Sequence, residues 1–199
     1  MVETFLREEV RTYHAALQQA LAQLPVETVQ WITQEIIMTH ERGGQIFVFG
    51  NGGSAATASH MACDLGKNTA TYGLPRLRIQ SLTDNTPLIM ALANDLGYEA
   101  IFAEQLAQAA VGPADLAIAI SGSGNSPNVL NGVALARAAG ARTIALTGFS
   151  GGRLAQIADI SLIVASECME IIEDIHLMIN HAVATAVRAA LQQRVAVAA

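Results

Sequence analysis

The chain has 199 residues, 52% of them hydrophobic and 14% charged, with a formal net charge of −6. That length suits one compact domain with a sizeable core, and so apolar a composition suits an oligomer that buries further surface between copies. The 11 Lys and Arg residues are scattered rather than massed, which argues against a nucleic-acid partner.

Glu3, Glu8 and Glu9 lie in an N-terminus without the apolar stretch of a secretory signal, and no run reaches the roughly 18 apolar residues of a spanning helix. Cys63 and Cys168 have neither metal nor redox spacing. Reduced thiols, a cytoplasmic location and no membrane partner are the expectation.

In chain order, Phe5, Leu6, Val10, Leu17 and Leu21 recur at helical spacing over 2–23. Pro25 interrupts before a second helix over 26–42, closed by Gly43-Gly44. Runs at 45–50, 115–120, 142–147 and 160–165 read as buried strands, with a weaker one at 76–82. Helical patterns occupy 98–110 and 126–139, and a long last helix covers 169–193. The alternation predicts an α/β fold, a three-layer sandwich with a doubly wound parallel sheet and right-handed crossovers. The whole chain, 1–199, reads as a single domain, with an N-terminal helical pair over 1–42 and an α/β core with a long C-terminal helix over 43–199.

Ligands of such sheets bind beyond the carboxyl ends of the strands. Two junctions there carry the right chemistry. The first is Gly50-Asn51-Gly52-Gly53-Ser54, between a strand and the helix containing His60. The second is Ser121-Gly122-Ser123-Gly124-Asn125-Ser126, followed by Pro127. Backbone N–H groups, hydroxyls and a helix N-terminus can hold a phosphate without any cation. The plain alternative is an ordinary turn with Ser126 as an N-cap, but three serines in six residues exceed what a turn needs. Neither loop fits the Walker or dinucleotide pattern, so no nucleotide cofactor is expected.

Acids and histidines form a second signal. His60 and Asp64 are four residues apart, on one helical face. Glu173, Asp174, His176 and His181 cluster on the last helix. Periodicity favours Asp174 as the companion of His181, because Glu173 lies about 80° around the helix from it. Set beside the first loop, these groups read as a site rather than surface pairs. His14 and His40 are expected to face solvent, and His176 could be a supporting partner or a packed histidine.

Phe49-Gly-Asn-Gly-Gly-Ser-Ala-Ala56, Ser121–Ser126, Asn94-Asp95 before Leu-Gly-Tyr-Glu, and Leu146-Thr-Gly148 before Gly151-Gly152 resemble, in order and spacing, the sugar isomerase (SIS) domain family. Within it, the first loop, His60 and the C-terminal Glu/His helix resemble the phosphoheptose isomerase branch. The resemblance spans nearly the whole chain. It implies a flavodoxin-like fold, a homotetramer with its site at a subunit boundary, and aldose–ketose isomerisation. The implied reaction converts sedoheptulose 7-phosphate to D-glycero-D-manno-heptose 7-phosphate.

The resemblance also implies substrate contacts from Asn51, Gly52, Gly53, Ser54, Asn94, Asp95, Ser121, Gly122, Ser123, Ser126 and Glu173. It maps a divalent metal, zinc in some members, onto His60, Asp64, Glu173 and His181. Against the family pattern, Asp64 is one methylene shorter than a Glu, and Glu173 stands where the family has Gln. The expected catalytic groups are Asp64 or Glu173 for the C1/C2 proton and His181 for the oxygen protons, with the metal polarising the enediolate. Rival readings are a non-catalytic sugar-phosphate sensor, an adaptor for a replication initiator, an aminosugar-phosphate isomerase, or an etherase.

Overall fold

A computed structural model describes residues 2–198, and the side chains of 197 and 198 are left aside. Helices α1 (Val2–Ala22) and α2 (Val26–Glu41) come first, parted by Pro25, whose extended backbone starts α2. Strand β1 (Gln45–Gly50) leads into α3 (Gly53–Cys63), which widens into a π-helical turn (Asp64–Asn68). Then follow β2 (Arg78–Ser81), α4 (Thr86–Leu96), a 3-10 turn (Tyr98–Ala100) and α5 (Ile101–Gln108). The chain closes with β3 (Leu116–Ser121), α6 (Pro127–Ala138), β4 (Arg142–Thr147), α7 (Gly152–Ile157), β5 (Ile160–Ile163) and α8 (Met169–Ala198).

The five strands form one parallel sheet in the order β2-β1-β3-β4-β5. This is the flavodoxin-like order, in which the sequence of strands reverses beside β1. Val48, Ile118 and Ile144 lie in register across the middle of the sheet. Because successive side chains alternate faces, Ile46, Val48, Ile118, Ile120, Ile144 and Leu146 enter one core. That core is closed by residues of α2, α3 and α8 and by Ala20 of α1, whose Tyr13, Ala16 and Leu17 pack against it. Phe47, Phe49, Ala117, Ala119 and Ala145 enter the other, against α5, α6 and α7. The predicted three-layer α/β architecture is the one observed.

Three details depart from the sequence expectations. Both edge strands are shorter, the last helix runs on to Ala198, and α4 and α7 lie outside the helices read from the sequence. Asn85 caps α4 by accepting a hydrogen bond from Leu88 N (3.2 Å), and a proline occupies its first turn. Yet α4 has no buried residue, and Met90 and Leu96 stand exposed. His14 is exposed as expected. His40 is half-buried, and burial, with Arg194 nearby, lowers its pKa.

Candidate active site

Both glycine-rich loops end at the carboxyl edge of the sheet and line one cavity of about 230 Å³. Asn51, Gly52, Gly53 and Ser54 form one wall, and Ser121, Gly122, Ser123 and Ser126 form another. Met169 and Glu173 of α8 close the third side. The N-termini of α3 and α6 both open here, with neither Gly52 nor Ser126 making a side-chain cap. Free N–H groups of two helices therefore converge with four hydroxyls, those of Ser54, Ser121, Ser123 and Ser126. Ser126 is not spent as a cap: its hydroxyl lies 3.4 Å from that of Ser121.

Close packing dictates the glycines at two points. A Cβ on Gly53 would stand 2.2 Å from Glu173 Oε2, so the carboxylate rests on bare backbone. Gly124, at φ +64°, would place a Cβ 2.1 Å from the carbonyl oxygen of Gly151. There the segment after β4 braces the second glycine-rich loop. Gly148 N donates to Gly122 O (2.9 Å), Leu154 N to Gly124 O (2.9 Å), and Arg153 N to Asn125 Oδ1 (3.1 Å).

A second group assembles where α3 meets α8. His181 Nε2 lies 3.3 Å from His60 Nε2, and Asp64 Oδ2 lies 3.4 Å from His60 and 3.6 Å from His181. Zinc bonds of about 2.0–2.1 Å at tetrahedral angles separate ligand atoms by about 3.4 Å, so this donor set fits a divalent ion with an open position. Asp64 begins the π turn and is buried, and Asn68 Nδ2 (2.9 Å to Oδ1) and Asn180 Nδ2 (3.0 Å to Oδ2) fix its carboxylate. Asn68 and Asn180 went unnoticed in the sequence. Their signals were the i,i+4 spacing of Asn68 from Asp64 and the position of Asn180 beside His181.

The structure does not bring every expected residue together. Glu173 stands in the loop cavity, outside the His60–Asp64–His181 cluster, eight residues and about 12 Å of helix rise from His181. Its carboxylate makes no hydrogen bond among the described residues. Asp174, the companion that periodicity favoured for His181, instead accepts from Tyr13 OH (2.5 Å). That bond pushes the phenol up to about 12. Asn94 and Asp95 sit exposed on α4 and do not line the cavity of their own chain.

His176 is a packed histidine. It is 1% exposed, its Nε2 meets Thr147 O at 3.2 Å, and burial lowers its pKa to about 4. Asn128 and Tyr98, which hold the side chain of Asn51, were also missed.

A cation-free cavity of hydrogen-bond donors at the carboxyl edge of a doubly wound sheet, with a His–Asp–His group farther along where α3 meets α8, is an α/β arrangement able to hold a small anionic ligand. The SIS domain matches residues 12–148 of the chain. A probable phosphoheptose isomerase of Thermoplasma acidophilum is 40% identical over 79% of this chain and 86% of its own length. A phosphoheptose isomerase of Helicobacter pylori is 37% identical over 91% and 93%. Among solved structures, a phosphoheptose isomerase of Neisseria gonorrhoeae superposes with a TM-score of 0.85 at 29% identity, covering 92% of this chain and 99% of that one. The chain belongs to the SIS domain family and, within it, to the phosphoheptose isomerase branch of sugar-phosphate isomerases.

Proposed function

We propose that the protein interconverts an aldose and a ketose phosphate, with sedoheptulose 7-phosphate and D-glycero-D-manno-heptose 7-phosphate as the pair. The carrying observation is the shared placement of cradle and cluster. Both α3 and α8 begin at the loop cavity and carry His60 and His181 farther along. From Ser54 to His60 the rise is about 9 Å. An extended sugar chain with a terminal phosphate can bridge that interval.

On this reading Ser121, Ser123, Ser126 and the two helix N-termini hold the phosphate. His60, Asp64 and His181 are the residues that would hold a divalent ion, zinc first. Such an ion, when bound, supplies electrophilic polarisation of the carbonyl and hydroxyl oxygens. Asp64 has both oxygens engaged by Asn68 and Asn180 and acts as a fixed anionic ligand. Glu173 and Asp64 are the two carboxylates able to take and return the proton between C1 and C2. Glu173 is unpartnered in the cavity beside the phosphate, and Asp64 lies beside His181, which serves the oxygens.

The exposed apolar residues Phe5, Leu6 and Val10 of α1, Trp31 of α2 and Met90 of α4 would pack between copies of a homotetramer. Asn94 and Asp95 would then face the site of a neighbouring copy. The two free cysteines suit the cytoplasm. No helix among the described residues is long and apolar enough to cross a membrane.

Turnover on a panel of C7, C6 and amino C6 phosphates, with and without chelator, tests the reading. Chelator-sensitive conversion of the C7 pair is expected. Conversion of only an amino C6 phosphate would move the assignment to an aminosugar isomerase, and phosphate-sugar binding without turnover would make the protein a sensor. A monomer at micromolar concentration by light scattering would defeat the assembly.

A further inference from the structure

We infer that Asn128 is a positioning residue that joins the two phosphate loops into one cradle through the side chain of Asn51. The inference rests on the cradle reading above and not on the identity of the sugar.

Asn128 lies in the first turn of α6 and is 1% exposed, an unfavourable place for an amide unless every polar atom is used. Its Oδ1 accepts from Asn51 Nδ2 (2.9 Å), and its Nδ2 donates to Asn51 Oδ1 (2.8 Å). The two residues belong to different loops, 77 positions apart, and are tied by a reciprocal amide pair.

The direction of the pair is set by the backbone. Val129 N donates to Asn128 Oδ1 (3.0 Å), so that atom must be the acceptor. The amide nitrogen then points at Asn51, whose Oδ1 receives a second bond from Tyr98 OH (2.9 Å). Both oxygens carry two hydrogen bonds each, which exhausts their lone pairs. Asn51 therefore keeps one amide N–H for a ligand, and it cannot turn without breaking three bonds.

Asn51 opens the loop whose Gly52, Gly53 and Ser54 face the cavity, while Asn128 stands two residues beyond Ser126. Locking one to the other fixes the spacing between the two sets of phosphate donors before the anion arrives. Preorganisation of this kind lowers the ordering cost of binding. The amide pair itself need not touch the phosphate.

Calorimetric titration of inorganic phosphate into the full-length protein reads the cradle without presuming a reaction. Asn128→Ala is expected to weaken phosphate binding about tenfold, the scale of one to two neutral hydrogen bonds. Metal content at His60, Asp64 and His181 should be unchanged. Asn51→Ala should cost a similar factor. The double variant should be no more than about twofold worse than the worse single one, because coupled residues act as a unit. If Asn128→Ala does not fold, Asn128→Ser, which suits a helix's first turn, carries the same expectation. Wild-type phosphate affinity in a folded Asn128 variant, or losses that multiply in the double variant, would overturn the inference. A wild type that binds phosphate but isomerises no sugar phosphate, with binding lost in Asn128→Ala, sinks the proposed reaction and leaves the positioning role standing. A wild type that binds no phosphate sinks both.

Discussion

The two ends of the parallel sheet are built on opposite principles. At the amino end, polar groups are paired. Asp115 accepts from Gln45 N (2.7 Å) and Gly112 N (2.8 Å), and Asp159 accepts from both Thr143 N and its hydroxyl (2.8 Å each). Buried Glu35 meets Arg42 at 3.0 Å and Arg142 at 3.7 Å, and Arg142 also reaches Asp159 at 3.5 Å. At the carboxyl end, helix N-termini and the Glu173 carboxylate are left open, the loop serine hydroxyls make only long contacts of 3.3–3.4 Å among the described residues, and no Lys or Arg lines the cavity. Polar satisfaction marks the end that holds the fold, and unpaired polar groups mark the end where the proposed function places the substrate.

The largest test of that contrast lies at the open end. His181→Ala and Glu173→Gln should each lower turnover by at least about a hundredfold, the usual scale for an acid or base group. Asp174→Asn should keep wild-type turnover, because Asp174 serves only Tyr13. Steady-state kinetics with metal analysis checks all three. If Glu173→Gln is fully active, the base is Asp64.

At the paired end the effect should fall on stability alone. Glu35→Ala is expected to cost about 3 kcal/mol, the low side for a buried ion pair, since Arg42 and Arg142 keep access to water. Urea unfolding measures the loss, and an altered KM would blur the division between the two ends.

His176 offers a test between the extremes. Its folded pKa of about 4 lies below the usual 6.5 of the unfolded chain, so between those values the unfolded state binds the extra proton. Stability from this group is intact above pH 6.5. It is lost as pH falls toward 4, by on the order of 3 kcal/mol. Unfolding curves across that window should slope less in His176→Leu than in the wild type, and identical slopes would remove the histidine from the account.

The smallest change is Ser123→Ala. One neutral hydrogen bond is worth about 0.5–1.5 kcal/mol, so KM should rise severalfold while the melting temperature stays put. An unchanged KM in the Ala variants of Ser121, Ser123 and Ser126 alike would reduce the second loop to a turn.

Strands β1 and β4 were legible to the residue, because Gln45–Gly50 and Arg142–Thr147 are short apolar runs buried on both faces. Helix α4 was missed although Ile89, Leu92, Ala93 and Leu96 recur at helical spacing, and the first three of them pack on the core. The two glycine loops were legible through their chemistry alone.

The partner of His181 came from the resemblance, which grouped it with Asp64, and not from helical phase, which favoured Asp174. Helical phase gives the face of a side chain but not the neighbour on that face. Asp174 turns to α1, and Asp64 arrives from α3. Nor could sequence show that α3 widens at Asp64, or that Asn128 and Tyr98 hold Asn51, since those contacts join segments far apart in the chain.

Helix α8 has a kinetic consequence of its own. It is a stiff rod that presents Glu173 at the anion cradle and His181 about 12 Å farther on. Discrimination can therefore rest on reach rather than on reading each hydroxyl. On the proposed reading, triose phosphates and free phosphate would occupy the cradle but fall short of the histidines, so they should act as competitive inhibitors that never turn over. The rigidity of one helix would then set the minimum size of what the enzyme transforms, leaving the pattern of hydroxyls to be judged by whatever surrounds the middle of the chain.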